Sequence, residues 1–451
     1  MEPEVTNPDQ APPVAAVPAM SPDHVPLLAD RSFWGLTLTQ FLGAFNDNVY
    51  KTTLMLLFVA VPVGVDAAGN TLTRDYQGEG TFLFGLPFIL FSGIAGYLSD
   101  RFSKRNVIVL CKLAEVVIML AGLALFVMYG RGPMSVTMVV IFSVVLFFMG
   151  THSAFFGPGK YGVLPELFRE RDLPTANGII LMTTFLAIIF GVVLAGLLKD
   201  WFSGQLWIVG LVCIGLALAG VVTALLVRAT PPVNPGLRFH WDMLIVPADM
   251  RAVLARDVDL HLAVWMYSVF WMAAAIVQAA VISLGKLQLE VGDTYTTALV
   301  SMISIGIVIG SPLAGILSRG RFHTGMLKVG VWGLTICLLL LALPGGEQRQ
   351  LLGYWGSLVC LAALGVFTGL YAVPLQVFMQ MRPPRELKGR MIATMNLLNF
   401  LGITLAGLVY TVVGRALTAL DLPPSGMFGV TALMLGAVAV FYRPREVPLH
   451  E

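Results

Sequence analysis

Along most of the chain the apolar positions are continuous, in runs of about 20 to 30 residues separated by short polar or charged breaks. A run of that length, wound as a helix with a rise of about 1.5 Å per residue, crosses the roughly 30 Å hydrocarbon core of a bilayer. Such runs fall at 34–63, 80–99, 106–129, 134–156, 175–198 and 204–227. A proline-bearing stretch (Pro231, Pro232, Pro235, Pro247) with a short amphipathic piece at 248–257 follows, and six more runs lie at 258–283, 293–318, 324–344, 351–380, 391–414 and 424–442. The pattern predicts an all-α membrane protein of twelve transmembrane helices in two pseudo-symmetric six-helix halves. It divides the chain into a disordered tail (1–30), a first half (31–227), a cytoplasmic linker (228–257), a second half (258–442) and a C-terminal tail (443–451).

Composition sharpens this by exclusion. The chain is 57% hydrophobic and only 12% charged, about half the charged fraction of an average soluble domain. A net charge of +2 without a long basic run excludes a nucleic-acid partner. Cys111, Cys213, Cys337 and Cys360 all lie in apolar runs, with no CxxC and no histidine at ligand spacing, so they are expected to be packing residues, and no metal site or cofactor is expected. The first 30 residues are proline-rich without an apolar core, unlike a cleaved signal.

The one polar cluster inside the first run is Gln40-Phe-Leu-Gly-Ala-Phe-Asn-Asp-Asn-Val-Tyr-Lys51. On a helix Gln40, Ala44, Asp47, Asn48, Lys51 and Met55 fall at spacings of three or four and share a face. A central Asp or Lys costs roughly 2.5 to 3.5 kcal/mol in a bilayer, so such residues face a bundle interior or a cavity. Two readings are open for Asp47 and Lys51: an ion-coupling site, with Asn46 and Asn48 orienting the carboxylate or a headgroup, or a neutralised lock between helices. Glu115 with Lys112 reads as a structural pair, and His152 as a proton or headgroup contact or as a histidine satisfied locally at a helix end. Lys160 and Tyr161 bind a phosphate or only follow the cytoplasmic excess of basic residues. Asn396 and Asn399, at i,i+3, line the path from the second half together with Gln376 and Gln380, or bond between helices.

The halves echo one another. Ser92-Gly-Ile-Ala-Gly-Tyr-Leu-Ser-Asp100 recurs as Ser311-Pro-Leu-Ala-Gly-Ile-Leu-Ser-Arg319 at the end of the second run of each half. Gly178, Gly191 and Gly196 match Gly389, Gly402 and Gly407. In register with the six-plus-six count, these argue for duplicated halves about a central pathway. Placing both termini in the cytoplasm leaves only Arg74, Arg131, Lys199, Lys286, Arg349 and Arg415 outside, apart from Lys51 and Lys112 within helices, as the positive-inside rule requires.

Gly96-x-x-x-Asp100-Arg101-x-x-Lys104-Arg105 joins the second and third helices. Its glycine is expected to let a neighbouring helix approach, and Asp100 with Arg101, Lys104 and Arg105 to form a conformational latch. This loop and the twelve-helix repeat resemble the major facilitator superfamily. The polar stretch at 40–51, Gly157-Pro-Gly-Lys-Tyr-Gly-Val-Leu-Pro-Glu166 and Ala176-Asn-Gly178 are similar to its lysophospholipid transporter branch. That resemblance implies inward movement of lysophosphatidylethanolamine or related lysolipids across the bacterial inner membrane. Members fused to an acyltransferase carry a His-x-x-x-x-Asp motif that this sequence lacks, so the resemblance implies a carrier and not an enzyme, functionally linked to a separate acyltransferase. Aligning Phe270-Trp271 with the aromatic pair of enterobacterial members puts Gln278 where they carry an arginine, which implies weaker discrimination for phosphate if Gln278 faces the cavity; the alternative is an interhelical hydrogen-bonding residue, with headgroup charge met by Lys51 or Lys160.

No nucleotide-binding loop occurs, so energy is expected from a Na⁺ or H⁺ gradient or from the substrate's own. A monomer in the bilayer, working by alternating access, is the expected form. A proton-coupled exporter of amphipathic small molecules or drugs is the alternative, since one fold serves many substrates. A lipid-modifying membrane enzyme is disfavoured because no mid-membrane histidine has an acid one turn away on its own helix.

Overall fold

A computed structural model describes residues 26–130, 134–169, 172–232, 234–237, 246, 248–318, 323–345, 350–383 and 387–443. Most of the expected N-terminal tail, much of the linker, Arg319 and the chain after Arg443 lie outside these residues, as does the side chain of Tyr161.

Within hydrocarbon every backbone N–H and C=O must be satisfied inside its own segment, so the apolar runs become helices. In the first half these are α1 (Arg31–Phe58), α2 (Gln77–Arg101), α3 (Lys104–Tyr129), α4 (Val136–Gly162), the short α5 (Leu164–Leu167), α6 (Leu173–Trp201) and α7 (Trp207–Leu225). The amphipathic α8 (Ala248–Arg256) leads to α9 (Val258–Ser283), α10 (Asp293–Ser318), α11 (Thr324–Ala342), α12 (Gly353–Met381), α13 (Lys388–Ala419) and α14 (Gly426–Phe441). Leaving aside α5 and α8, twelve long helices remain among the described residues. Ten have the length and apolarity to span a membrane; α14 is shorter, and α1 carries the polar cluster.

Three local features depart from the sequence expectation. The first helix stops at Phe58, and Val61–Val65 pairs antiparallel with Thr71–Arg74 as β1 and β2, a hairpin in a stretch whose Val61, Val63 and Val65 suit a strand as well as a helix. The fourth helix continues through Pro158 to Gly162, so much of the loop expected at 157–174 is helical. α9 ends in a π-helical turn, Leu284–Gln288.

The two halves repeat their packing. α2 lies on α4, α6 and α7 on α1, and α3 on α7; in the second half α10 lies on α12, α13 and α14 on α9, and α11 on α14. Contact between halves runs through α2 with α13 and α6 with α10. The glycine echo has a structural counterpart. A Cβ added at Gly191 would meet Phe45 O of α1 at 2.7 Å, and one at Gly402 would meet Ser268 O of α9 at 2.5 Å. One added at Gly196 would meet Thr297 Oγ1 of the other half at 2.1 Å, and one at Gly407 would meet Gly78 O of the other half at 2.4 Å. One small residue of each pair thus seats the helix within its half, and the next seats it across the halves. Gly96 corrects the expectation made for it: a Cβ added there would meet nothing within 4 Å, nor would one at Gly315, so neither admits a neighbouring helix in this conformation.

Candidate functional site

Three helices of the first half bring their polar residues to one point. Lys112 and Glu115, one turn apart on α3, form a buried ion pair with Lys112 Nζ 2.6 Å from Glu115 Oε2. Asn46 Nδ2 of α1 donates to the other carboxylate oxygen at 2.7 Å. From α4, Ser153 Oγ donates to Asp47 Oδ2 at 2.8 Å. His152 Nε2 stands 3.8 Å from both Asp47 Oδ1 and Glu115 Oε2. Gly43 of α1 makes room for the Lys112 ammonium: a Cβ there would lie 2.2 Å from Lys112 Nζ.

The histidine decides what the cluster can do. Its Nδ1 lies 3.1 Å from Met149 O, so a proton on Nδ1 is used within α4. Nε2 then presents a lone pair towards two carboxylate oxygens, and both Nε2 and Asp47 Oδ1 are buried without a hydrogen-bond partner. Three acceptors facing one another are unfavourable unless a proton or cation lies among them. The ligating atoms of Asp47, Glu115 and His152 lie within 4.8 Å of one another. Glu115 already holds the Lys112 ammonium, which disfavours a divalent metal and leaves the Asp47 and His152 side for a single positive charge.

The sequence-predicted residues separate. Asn46 serves Glu115 and not Asp47. Asn48 donates to its own helix at Ala44 O, 2.7 Å, and its Cβ side faces Gly191, so the expectation that both asparagines orient Asp47 is corrected. Lys51 makes no ion pair with Asp47; its ammonium lies over the Phe84 ring of α2, 5.2 Å from the centroid, which removes the lock reading in this conformation. His152 is satisfied locally at Nδ1, on Met149 O of its own helix, while its Nε2 faces two acids from other helices, as the proton-contact reading needs. Lys160 Nζ reaches Gln40 Oε1 at 3.4 Å, and Gln40 also bonds Ile180 O and Thr183 of α6. In the second half Ser268 Oγ donates to Asn399 at 3.4 Å, the interhelical reading, while Asn396 is exposed. Gln278 is half-buried on the α9 face that carries Tyr267 and Trp271, with Tyr267 reaching Gln376 of α12 at 3.4 Å.

The loop residues bond within the first half and to the start of the linker. Lys104 pairs with Glu166 of α5, Arg105 donates to Val227 O at 2.8 Å, Arg101 meets the Tyr97 hydroxyl, and the Asp100 carbonyl accepts from Asn234 N at 2.9 Å. At the opposite end of the bundle the halves are clamped. Asp293 of α10 pairs with Lys199 of α6 at 2.6 Å and Lys286 at 2.9 Å, and Asp200 accepts from the N–H groups of Asp293 and Thr294. Beside it Asp75 accepts from Ser283 and Tyr410 of the second half at 2.7 and 2.8 Å, and Glu79 from Thr411 at 3.1 Å. These polar contacts between the halves all gather at one end. Asp293→Asn would leave two lysines facing each other without full compensation. Cysteines placed on α10 near Thr297 should then react with an impermeant thiol reagent about tenfold faster in a variant lacking the native cysteines; an unchanged rate would show that the triad does not hold this end shut.

A bundle of twelve helices with repeated packing, two inter-half seams and a buried charge cluster defines a two-half membrane carrier. The Major Facilitator Superfamily family model matches residues 36–407, and the chain belongs to that family. Among its relatives is the lysophospholipid transporter LplT of Pectobacterium carotovorum subsp. carotovorum (strain PC1), 28% identical over 383 residues, covering 82% of this chain and 84% of the relative. The lysophospholipid transporter LplT of Citrobacter koseri is 28% identical over 422 residues, covering 92% and 96%. Among solved structures, the POT family transporter PepTSo superposes with a TM-score of 0.68 at 13% identity, covering 91% of this chain and 96% of that one, which supports the fold alone.

Proposed function

We propose that this protein is a secondary carrier that moves lysophospholipid across the bacterial inner membrane by alternating access, without altering the lipid. The observation that carries the reading is similarity to lysophospholipid transporters along 82% to 92% of the chain, spanning both halves. A carrier for a zwitterionic head with one acyl chain needs polar groups beside an apolar wall. Gln40, Asp47 and Lys51 supply the first, and Phe84 with the stacked Phe88 and Phe400 the second. With both termini cytoplasmic, as the Lys and Arg bias favours, the clamped end is periplasmic and this conformation faces inward.

Asp47 is the coupling residue in this proposal, taking H⁺ or Na⁺ into the gap beside His152; a separate acyltransferase consumes the delivered lysolipid. Uptake of labelled lysolipid into proteoliposomes, with and without pH or Na⁺ gradients, tests the reading; absence of uptake under all gradients, or recovery of a chemically changed lipid, would refute it. Gln278 sets headgroup tolerance. Wild type should accept competition from a phosphate-free monoacylglycerol, and Gln278→Arg should sharpen phosphate preference by about tenfold, since charged, forked hydrogen bonds replace neutral ones of roughly half the strength. Strict phosphate selectivity in both would remove Gln278 from the site.

A further inference from the structure

On the flank of the first half, away from both inter-half seams, α2, α3 and α4 enclose an apolar groove of about 740 Å³. Along α3 it runs from Asn106 to Ile118, which at 1.5 Å per residue is about 18 Å, and its volume lies within the range of built ligand sites. Leu110 and Val117, 68% and 66% exposed, face outward from it, so its open side looks into hydrocarbon. His152 of the charge cluster forms part of its lining, so whatever fills the groove also covers the lipid side of that cluster.

One end of the groove is polar. Phe102 and Asn106 line it there, and the Arg101 guanidinium lies 5.7 Å from the Phe102 ring centroid. Lys104 and Arg105, its neighbours in sequence, are bonded to Glu166 and to backbone carbonyls. Arg101 has no carboxylate partner among the described residues; it meets only the Tyr97 hydroxyl and two aromatic rings.

We infer that a diacyl phospholipid with an anionic headgroup resides here, its phosphate at Arg101, its ester region near Asn106 and one acyl chain along the groove to His152. A resident lipid fits better than the transported one. All three walls belong to one half, so opening and closing the path between the halves leaves the groove unchanged, whereas a substrate must pass between them. The bound chain keeps water from the Asp47, Glu115 and His152 cluster on its outer side. On the orientation proposed above this lipid belongs to the cytoplasmic leaflet, where anionic headgroups attract basic side chains.

The test is a binding measurement that needs no transport. The full chain in nanodiscs is irradiated with a phosphatidylglycerol carrying a diazirine on one acyl chain, and adducts are mapped by mass spectrometry. Adducts are expected on the peptides around Leu110 and Phe148, displaced by unlabelled phosphatidylglycerol and not by lysophospholipid. Arg101→Gln, at an exposed side chain, should weaken labelling about fivefold and abolish the preference over phosphatidylcholine, the worth of one basic group near an anionic headgroup. Ala114→Trp should block the groove, with Arg101→Gln keeping the test decisive if that variant fails to fold. Even labelling around the whole helix belt, displacement by lysophospholipid, or labelling unchanged in Arg101→Gln would each overturn the inference.

Discussion

Replacing Asp47 with asparagine is expected to lower coupled lysolipid uptake about 10- to 100-fold, the scale of a coupling free energy of 1–3 kcal/mol, while leaving the protein folded and inserted. Asparagine keeps the shape and can still accept from Ser153, so the packing of α1 on α4 survives. What it removes is the charge that draws a cation or proton into the gap shared with His152, where Nε2 and Asp47 Oδ1 have no partner of their own. Lys51→Ala should be milder, because its ammonium lies over Phe84 and supports no ion pair with Asp47. Uptake at the wild-type level with unchanged ion dependence in Asp47→Asn would eliminate this residue as the coupling group.

The second large effect is on stability. Glu115→Leu leaves Lys112, with 4% of its side chain exposed, as a buried cation without its counter-charge. The expected cost is on the order of 3 kcal/mol or more, seen as a lower unfolding midpoint in detergent. Asn46 Nδ2 loses its acceptor as well. Removing both charges in Glu115→Leu with Lys112→Met should restore most of the midpoint, because the penalty comes from the unpaired charge and not from the loss of an attraction. If the restored protein also transports, the pair is structural and coupling rests on Asp47 and His152; if it folds without transporting, Glu115 belongs to the coupling site. A single Glu115→Leu variant as stable as wild type would contradict the placement of Lys112.

The two experiments also separate roles that the sequence merged. Read along one helix, Asp47 and Lys51 are neighbours and Glu115 and Lys112 are neighbours, so each looks like a self-contained pair. The second is one; the first is not. His152 has no acid on its own helix one turn away, so the sequence left it between a proton or headgroup contact and a locally satisfied histidine; in the fold it stands between carboxylates of α1 and α3.

The twelve helices, their division into two halves and the small residues that seat them follow from the sequence alone, because in hydrocarbon the backbone must satisfy itself within each segment and the apolar run reports that requirement locally. The glycines at 191, 196, 402 and 407 were legible for the same reason: two halves under one packing rule repeat their small residues in register. Which helix faces meet was settled only in three dimensions. Packing sent Asn46 to Glu115 and Asn48 back to its own backbone, took Lys51 to an aromatic ring, opened the surroundings of Gly96 and ended the first helix in a hairpin. Helical periodicity fixes which residues share a face, but the partner opposite that face is chosen by the packing of all the helices together, and a polar residue's role in a membrane depends on that partner.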